Sequence, residues 1–340
     1  MRRIGKILRG IAFALLALAA AGAIFEAIAT AHDAKTVGPP GRMVMVDGHR
    51  VHVVAMGNSG PTYVLDSGLS GWSVFWYRMQ PLLAAGGRTY AIDRPGMGWS
   101  DPAPDASDAI AAADQMARIV DAAQIPKPFI YIGHSLGANF AEVYAAKRPG
   151  DVAAIVLFEP GDPHDLIEDF KGTRAQAMQV STAVPRLLAG VAGRLGLTRL
   201  MSMIAPGRSF SGPSNTQYHM GLARPGGLAT EMGYLAALPK TAYECMDVTS
   251  FGDLPVLAFA STELREPEGK ETPADVVKWR AGYLEHLAAL VARSSRGRGP
   301  VVIPSSNHKS MVLGESQAAT AAAAIAAFAR DNGLGGPPPP

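Results

Sequence analysis

The sequence predicts an α/β domain, with a mostly parallel sheet covered by helices on both faces and a helical insertion. Three observations carry this. Short, continuously apolar runs alternate with helix-compatible segments over most of the chain, and such runs read as strands buried on both faces. The alternation stops between residues 162 and 250, where only helical and loop patterns occur, and then resumes. The pentapeptide Gly133-His134-Ser135-Leu136-Gly137 stands between a strand-like run and a helix-like run, the setting in which G-x-S-x-G has a mechanical meaning.

The first element is an apolar N-terminal segment. Arg2, Arg3, Lys6 and Arg9 precede an apolar run from Ile11 to Phe25, which Glu26 interrupts and Ala27 to Ala31 continues. Residues 1–31 are read as an uncleaved membrane anchor, because the 21 residues from Ile11 to Ala31 just suffice to span a bilayer. Glu26, near the far edge, is placed to snorkel to the interface. The alternative is a signal peptide cleaved after the small residues Ala29-Thr30-Ala31. Either way the basic residues stay cytoplasmic and the body lies across the membrane, periplasmic or extracytoplasmic, secreted if cleaved.

Residues 32–41 (HDAKTVGPPG) form a polar, Pro/Gly-rich linker. Met43–Val46 and His49–Ala55 flank Asp47-Gly48, a hairpin signature. Thr62–Asp66 is a strand, Trp72–Ala84 has helical spacing, Arg88–Asp93 is a strand and Ala106–Ala123 an alanine-rich helix. Pro128–Ile132 leads as a strand to the pentapeptide, Ala138–Lys147 follows as a helix, and Val152–Phe158 is the next strand. After the insertion come strand Pro255–Ala260, helix Val276–Ala292, strand Pro300–Ile303 and helix Ala318–Arg330. Residues 42–161 and 251–331 thus make the core and 162–250 a cap. The low-complexity tail 332–340 is expected to be disordered.

Bulk composition narrows the partners. With 31 basic against 29 acidic residues in 340, and no basic run beyond the N-terminus, nothing provides the electrostatic footprint of a nucleic-acid binder. The single cysteine, Cys245, excludes an internal disulfide and a cysteine metal cluster; it reads as a small buried apolar residue. No metal or organic cofactor is implied.

The chemistry centres on Ser135. A serine on a sharp strand-to-helix turn has strained backbone angles, so the flanking glycines stand where a Cβ would collide. The turn lifts the hydroxyl out of the sheet, and the start of the following helix offers free N–H groups to a developing anion.

With the pentapeptide GHSLG, the block Asp93-Arg94-Pro95-Gly96-Met97-Gly98-Trp99-Ser100 and this order of strands, the chain resembles the α/β-hydrolase family over Met43 to Arg330. More narrowly, VDGHRVHVVAMGNSGPTYVLDSG and DRPGMGWSD are similar to membrane-anchored bacterial hydrolases of ill-defined substrate. The resemblance implies an eight-stranded sheet with a helical cap. It also implies the order nucleophile, acid, histidine along the chain.

On that order His308, in the loop after the last strand, is the general base for Ser135, alone among the eight histidines. His134 is adjacent to Ser135, but neighbouring side chains on the turn diverge; His286 lies on a helix. The acid departs from the common pattern. Leu264 falls near the usual aspartate position and Glu263 is one residue off, while Glu159 ends the sixth strand, the other position the family uses. The sequence leaves Glu159 and Glu263 level, with Asp162 third. The oxyanion donors implied are the N–H groups of Leu136 and of Leu69 in Ser67-Gly68-Leu69-Ser70-Gly71, where Ser67-Gly68 replaces the usual His-Gly. Asp93, Arg94 and Trp99 read as structural turn residues.

The leading expectation is therefore a serine hydrolase acting on a carboxylic ester. Methionines 178, 201, 203, 220, 232 and 246 in the insertion point to an apolar acyl or alkyl pocket or to core packing. The same residues would serve an amide, lactone or thioester hydrolase. Dehalogenase and epoxide hydrolase chemistry is disfavoured, since both need an aspartate where Ser135 stands. The reading from another class is a non-catalytic binding protein on the hydrolase fold.

Overall fold

In a computed structural model the described residues are 2–103, 107–167, 170–204, 210, 212–264, 266–267, 269 and 271–334. Residues 335–340 of the expected disordered tail, part of residues 207–215, whose sequence reads as a loop, and the first residue of the expected 106–123 helix lie outside them.

The chain starts with α1 (Arg2–Thr36), a helix long and apolar enough to cross a membrane, with a mean hydropathy of 2.3 over its best window. The hairpin β1 (Arg42–Val46) and β2 (His49–Met56) turns at Asp47-Gly48, both in the left-handed region. Next come β3 (Thr62–Asp66), a 3-10 turn at Ser73–Trp76 and α2 (Met79–Ala84). The single helix expected over residues 72–84 is thus broken into a turn and a short helix. β4 (Arg88–Ile92), α3 (Ala109–Ala122), β5 (Phe129–His134), α4 (Leu136–Lys147) and β6 (Val152–Phe158) follow.

Among the described residues, six helices intervene before the next strand: α5 (Pro163–Ile167), α6 (Arg174–Ala177), α7 (Ala183–Arg194), α8 (Leu197–Ile204), α9 (Pro213–Ala223) and α10 (Pro225–Met246). The chain then closes with β7 (Val256–Ala260), α11 (Pro273–Val291), β8 (Gly297–Val302), α12 (Ser310–Leu313) and α13 (Glu315–Asp331).

The eight strands form one sheet in the order β1-β2-β4-β3-β5-β6-β7-β8. Only β2 runs against its neighbours; every other pairing is parallel. The central strands β3, β5, β6 and β7 are buried almost throughout, which is why they read as continuous apolar runs. Their side chains alternate between two cores. Val64, Tyr131, Ile155 and Leu157 face α3, α4 and α11, whereas Leu65, Ile132, Val156 and Phe158 face α2, α12 and α13. β8 is the exposed edge; Gly297, Gly299 and Pro300 punctuate it, and edge strands tolerate such residues. This layering brings the carboxyl ends of β3, β5, β6 and β8 to one edge of the sheet, facing the inserted helices.

Candidate active site

Ser135 occupies the one residue between β5 and α4, with φ 54° and ψ −127°. That conformation costs a non-glycine residue about 1–3 kcal/mol. Its surroundings hold it: the Ser135 N–H donates to the Phe158 carbonyl at 2.8 Å, and both flanking glycines are backbone contacts. A Cβ on Gly133 would stand 2.4 Å from the Gly137 carbonyl oxygen, and one on Gly137 2.6 Å from the carbonyl oxygens of Asp66 and Ser67. The loop after β3 lies directly on the serine, since a Cβ on Gly68 would meet Ser135 Cβ at 2.6 Å and Oγ at 3.1 Å. Leu136 opens α4, in the first turn, where N–H groups lack intrahelical partners.

Residues 67–71 are braced from below. Arg94 donates through Nη1 to both oxygens of the Asp66 carboxylate, at 3.0 and 3.2 Å, and through Nη2 to the Gly68 carbonyl at 3.0 Å. Tyr131 adds a hydrogen bond to Asp66. Asp93 accepts from the N–H groups of Ser73 and Trp99 and contacts His52 Nδ1, each at 2.8 Å. Arg94 and Asp93 therefore set the shape of the loop that carries Leu69, as turn residues with a defined task.

Glu159 directly follows β6 with φ 43°, another strained position. Its carboxylate is buried and fully engaged. Oε2 meets His308 Nδ1 at 2.8 Å, while Oε1 accepts from the Ser261 N–H at 2.6 Å, the Ser261 hydroxyl at 2.7 Å and Arg280 Nη1 at 3.1 Å. Burial pushes this carboxyl up, but the hydrogen bond and charge of His308 and the two Ser261 donors outweigh it and bring the pKa down to about 2. Arg280, on α11, also donates to the Ser261 carbonyl, so one guanidinium holds the acid and the loop after β7 together.

His308 stands in the loop before α12 with 46% of its side chain exposed. With Nδ1 directed to Glu159, Nε2 is the nitrogen left for proton transfer. His134 supports it from behind. Its Nε2 donates to the His308 carbonyl at 2.7 Å, and the two rings lie 4.6 Å apart. Burial, then the charge of His308, lowers the His134 pKa to about 3, so His134 stays neutral. The expectation concerned His134 only as a base and is silent on this contact, whose partner lies far along the chain.

The other acids sit elsewhere. Glu263 accepts from the Asn307 side chain at 3.0 Å. Asp162 accepts from the His164 N–H at 2.9 Å and lies 3.7 Å from His286. Among the described residues no group of three or more His, Cys, Asp or Glu is placed to hold a metal.

Beside the loop of Leu69, Trp72, Met97, Met201, Leu222 and Leu228 line a cavity of about 140 Å³ under the inserted helices. Glu231 closes one wall; burial raises its pKa against a hydrogen bond to Ser70. None of the methionines at 178, 201, 203, 220, 232 and 246 is fully buried.

Comparisons agree with this architecture. A family model for the alpha/beta hydrolase fold matches residues 64–202. A 2-hydroxy-6-oxononadienedioate/2-hydroxy-6-oxononatrienedioate hydrolase of Dechloromonas aromatica is 30% identical over 154 residues, 45% of this chain and 48% of that one. Its counterpart from Pseudomonas putida is 36% identical over 112 residues, 32% of this chain and 36% of that one. The chain spans less than half the length of the curated relatives it matches. A thermophilic esterase from Thermogutta terrifontis superposes with a TM-score of 0.60 at 18% identity, over 86% of this chain and 98% of its own.

Proposed function

We propose that this chain, whose residues 64–202 match a family model for the alpha/beta hydrolase fold, is a serine hydrolase of that family cleaving a carboxylic ester with an apolar acyl or alkyl part. The observation that carries the reading is the direct Glu159–His308 contact at the sheet edge where Ser135 is held in a strained turn.

In this reading His308 Nε2 removes the Ser135 proton as Oγ attacks the ester carbonyl. Glu159 fixes the imidazole tautomer and balances the imidazolium that forms. The N–H groups of Leu69 and Leu136 receive the oxyanion. The proton passes from His308 to the departing alcohol, leaving an acyl group on Ser135. Water, deprotonated by His308, releases the acid and restores the serine. The apolar cavity beside Trp72 supports an apolar substrate part. The length and apolarity of α1 support a membrane anchor, with the body on the non-cytoplasmic side.

The test is fluorophosphonate labelling of the purified protein beside Ser135→Ala, Glu159→Gln and Glu263→Gln, paired with turnover of short- and medium-chain nitrophenyl esters. Labelling lost in Ser135→Ala, with turnover collapsing in Glu159→Gln and persisting in Glu263→Gln, is the expected pattern. Absence of labelling in folded wild type overturns the enzyme reading in favour of a binding protein.

A further inference from the structure

Helix α1 is fastened to the inserted helices. Arg199 of α8 donates through Nε and Nη2 to the two oxygens of Glu26, at 2.8 and 3.0 Å, and through Nη1 to Asp33 at 2.8 Å. The Thr30 hydroxyl donates to Glu26 at 2.7 Å. Glu26, expected to snorkel, is instead only 2% exposed and forked onto arginine. Four residues earlier, a Cβ on Gly22 would lie 2.6 Å from the Leu195 carbonyl oxygen. A bidentate pair and a backbone contact fix direction as well as distance, so the position of α1 sets that of α7 and α8.

That position is deep. At a rise of about 1.5 Å per residue, Glu26 lies about 25 Å along the helix from Arg9, and Gly22 about 20 Å. A hydrocarbon core is about 30 Å thick. With Arg9 held at one headgroup layer, the contacts with Arg199 and Leu195 fall about 5 and 10 Å inside the opposite boundary. Any surface that α7 and α8 turn outward at this level has to be apolar.

Most of it is: Leu187, Leu188 and Val191 on α7 and Leu200, Met201 and Met203 on α8 are 47–76% exposed, while Arg194, exposed at the end of α7, turns its guanidinium back to the Gly190 carbonyl. Among the described residues, half of the exposed large hydrophobics outside α1 lie on these two helices. Scattered apolar residues need no explanation, but a contiguous face beside an exposed apolar helix marks an interaction surface. Met201 belongs to this face and also lines the cavity that reaches Trp72.

We propose that the outward face of α7 and α8 is embedded in the non-cytoplasmic leaflet of the bilayer that α1 crosses, so that the cavity takes its ester from the lipid phase. The inference rests on the reading of α1 as a membrane anchor. The face continues the apolar surface of α1, and the part-buried pairing of Arg199 with Glu26 and Asp33 leaves these charges matched where α8 meets α1.

The test uses the full chain in phosphatidylcholine vesicles doped with lipids carrying a nitroxide on the acyl chain. An environment-sensitive fluorophore is placed on Leu188→Cys, Met203→Cys, Leu16→Cys or Asn58→Cys; the native Cys245 is buried. Asn58, exposed before β3 at the opposite edge of the sheet, is the aqueous control. Probes at 188 and 203 should shift to the blue and be quenched at least twofold, as at 16, with 58 unaffected. If 16 is quenched while 188 and 203 behave like 58, the face is wet and the proposal fails with the anchor intact. Blue-shifted but unquenched probes at 188 and 203 would assign the face to a second copy of the chain and also overturn it. An unquenched probe at 16 removes the anchor, and the proposal with it.

Discussion

His308 Nδ1 lies 2.8 Å from Glu159 Oε2, and three other donors hold the remaining oxygen of that carboxylate. The acid is therefore locked in the orientation that aims one lone pair at the histidine. An amide in its place presents either a donor to Nδ1 or an oxygen turned away from Ser261 and Arg280. Glu159→Gln should lower kcat by about 10³–10⁴-fold, the scale for a triad acid turned into its amide. Glu263→Gln, whose side chain accepts from Asn307, should stay within about threefold.

The same carboxylate predicts acid behaviour of stability. Its pKa is depressed from 4.5 to about 2 in the folded state, so its contribution is present above 4.5 and is lost as pH falls toward 2. Urea denaturation of wild type should weaken through that window relative to its neutral value. In Glu159→Gln the slope across the window should be shallower.

Arg280 makes a separate prediction about catalysis. Its guanidinium shares the Glu159 carboxylate with His308. Without it, the Glu159 carboxylate loses a donor that also ties down the Ser261 carbonyl. If Glu159 serves the proposed triad, Arg280→Met should lower kcat by about tenfold, the scale of one hydrogen bond to a charged group, with KM within about twofold. Arg280→Lys should restore part of the loss, and an unchanged kcat in Arg280→Met would show that the carboxylate is held without it.

The contrast between Glu159 and Arg280 shows what the sequence makes legible. Strands β3, β5, β6 and β7 are buried on both faces and so announce themselves as apolar runs; Ser135 and its glycines obey a local steric rule. Glu159 is legible as a carboxylate after a buried strand; what favours it over Glu263 in the proposed triad is its 2.8 Å contact with His308. Arg280 carried no signal, because a charged residue on a helix ordinarily faces solvent. His134 acts on a carbonyl 174 residues away, and Glu26 on an arginine 173 residues away. The first half of β8 reads as a loop because glycine and proline break the pattern that an edge strand does not need.

Glu142 on α4 gives a prediction of opposite sign. Burial raises its pKa to about 8, with Arg293 opposing at 3.7 Å. A carboxyl whose folded pKa lies above its usual 4.5 stabilises fully below that value, and the benefit is lost as pH rises through about 8. Glu142→Gln should match wild type in melting temperature near pH 4.5 and exceed it increasingly toward pH 9. A constant difference across that range would mean the carboxyl is ionised throughout.

Ser135 should trade stability for function. Its left-handed φ strains any residue with a Cβ, so removing the hydroxyl alone leaves the strain in place. Ser135→Ala should lose all turnover and keep wild-type stability within about 0.5 kcal/mol. Ser135→Gly loses turnover equally but relaxes the turn, and also frees the space that Gly68 leaves for the serine Cβ. It should therefore be more stable than Ser135→Ala by about 1 kcal/mol, the scale on which glycine relieves a left-handed position. Denaturation midpoints of the two variants, measured with unchanged m-values, decide the matter. Equal midpoints would show that the surrounding contacts relax the turn at no cost, and that the elbow stores no strain.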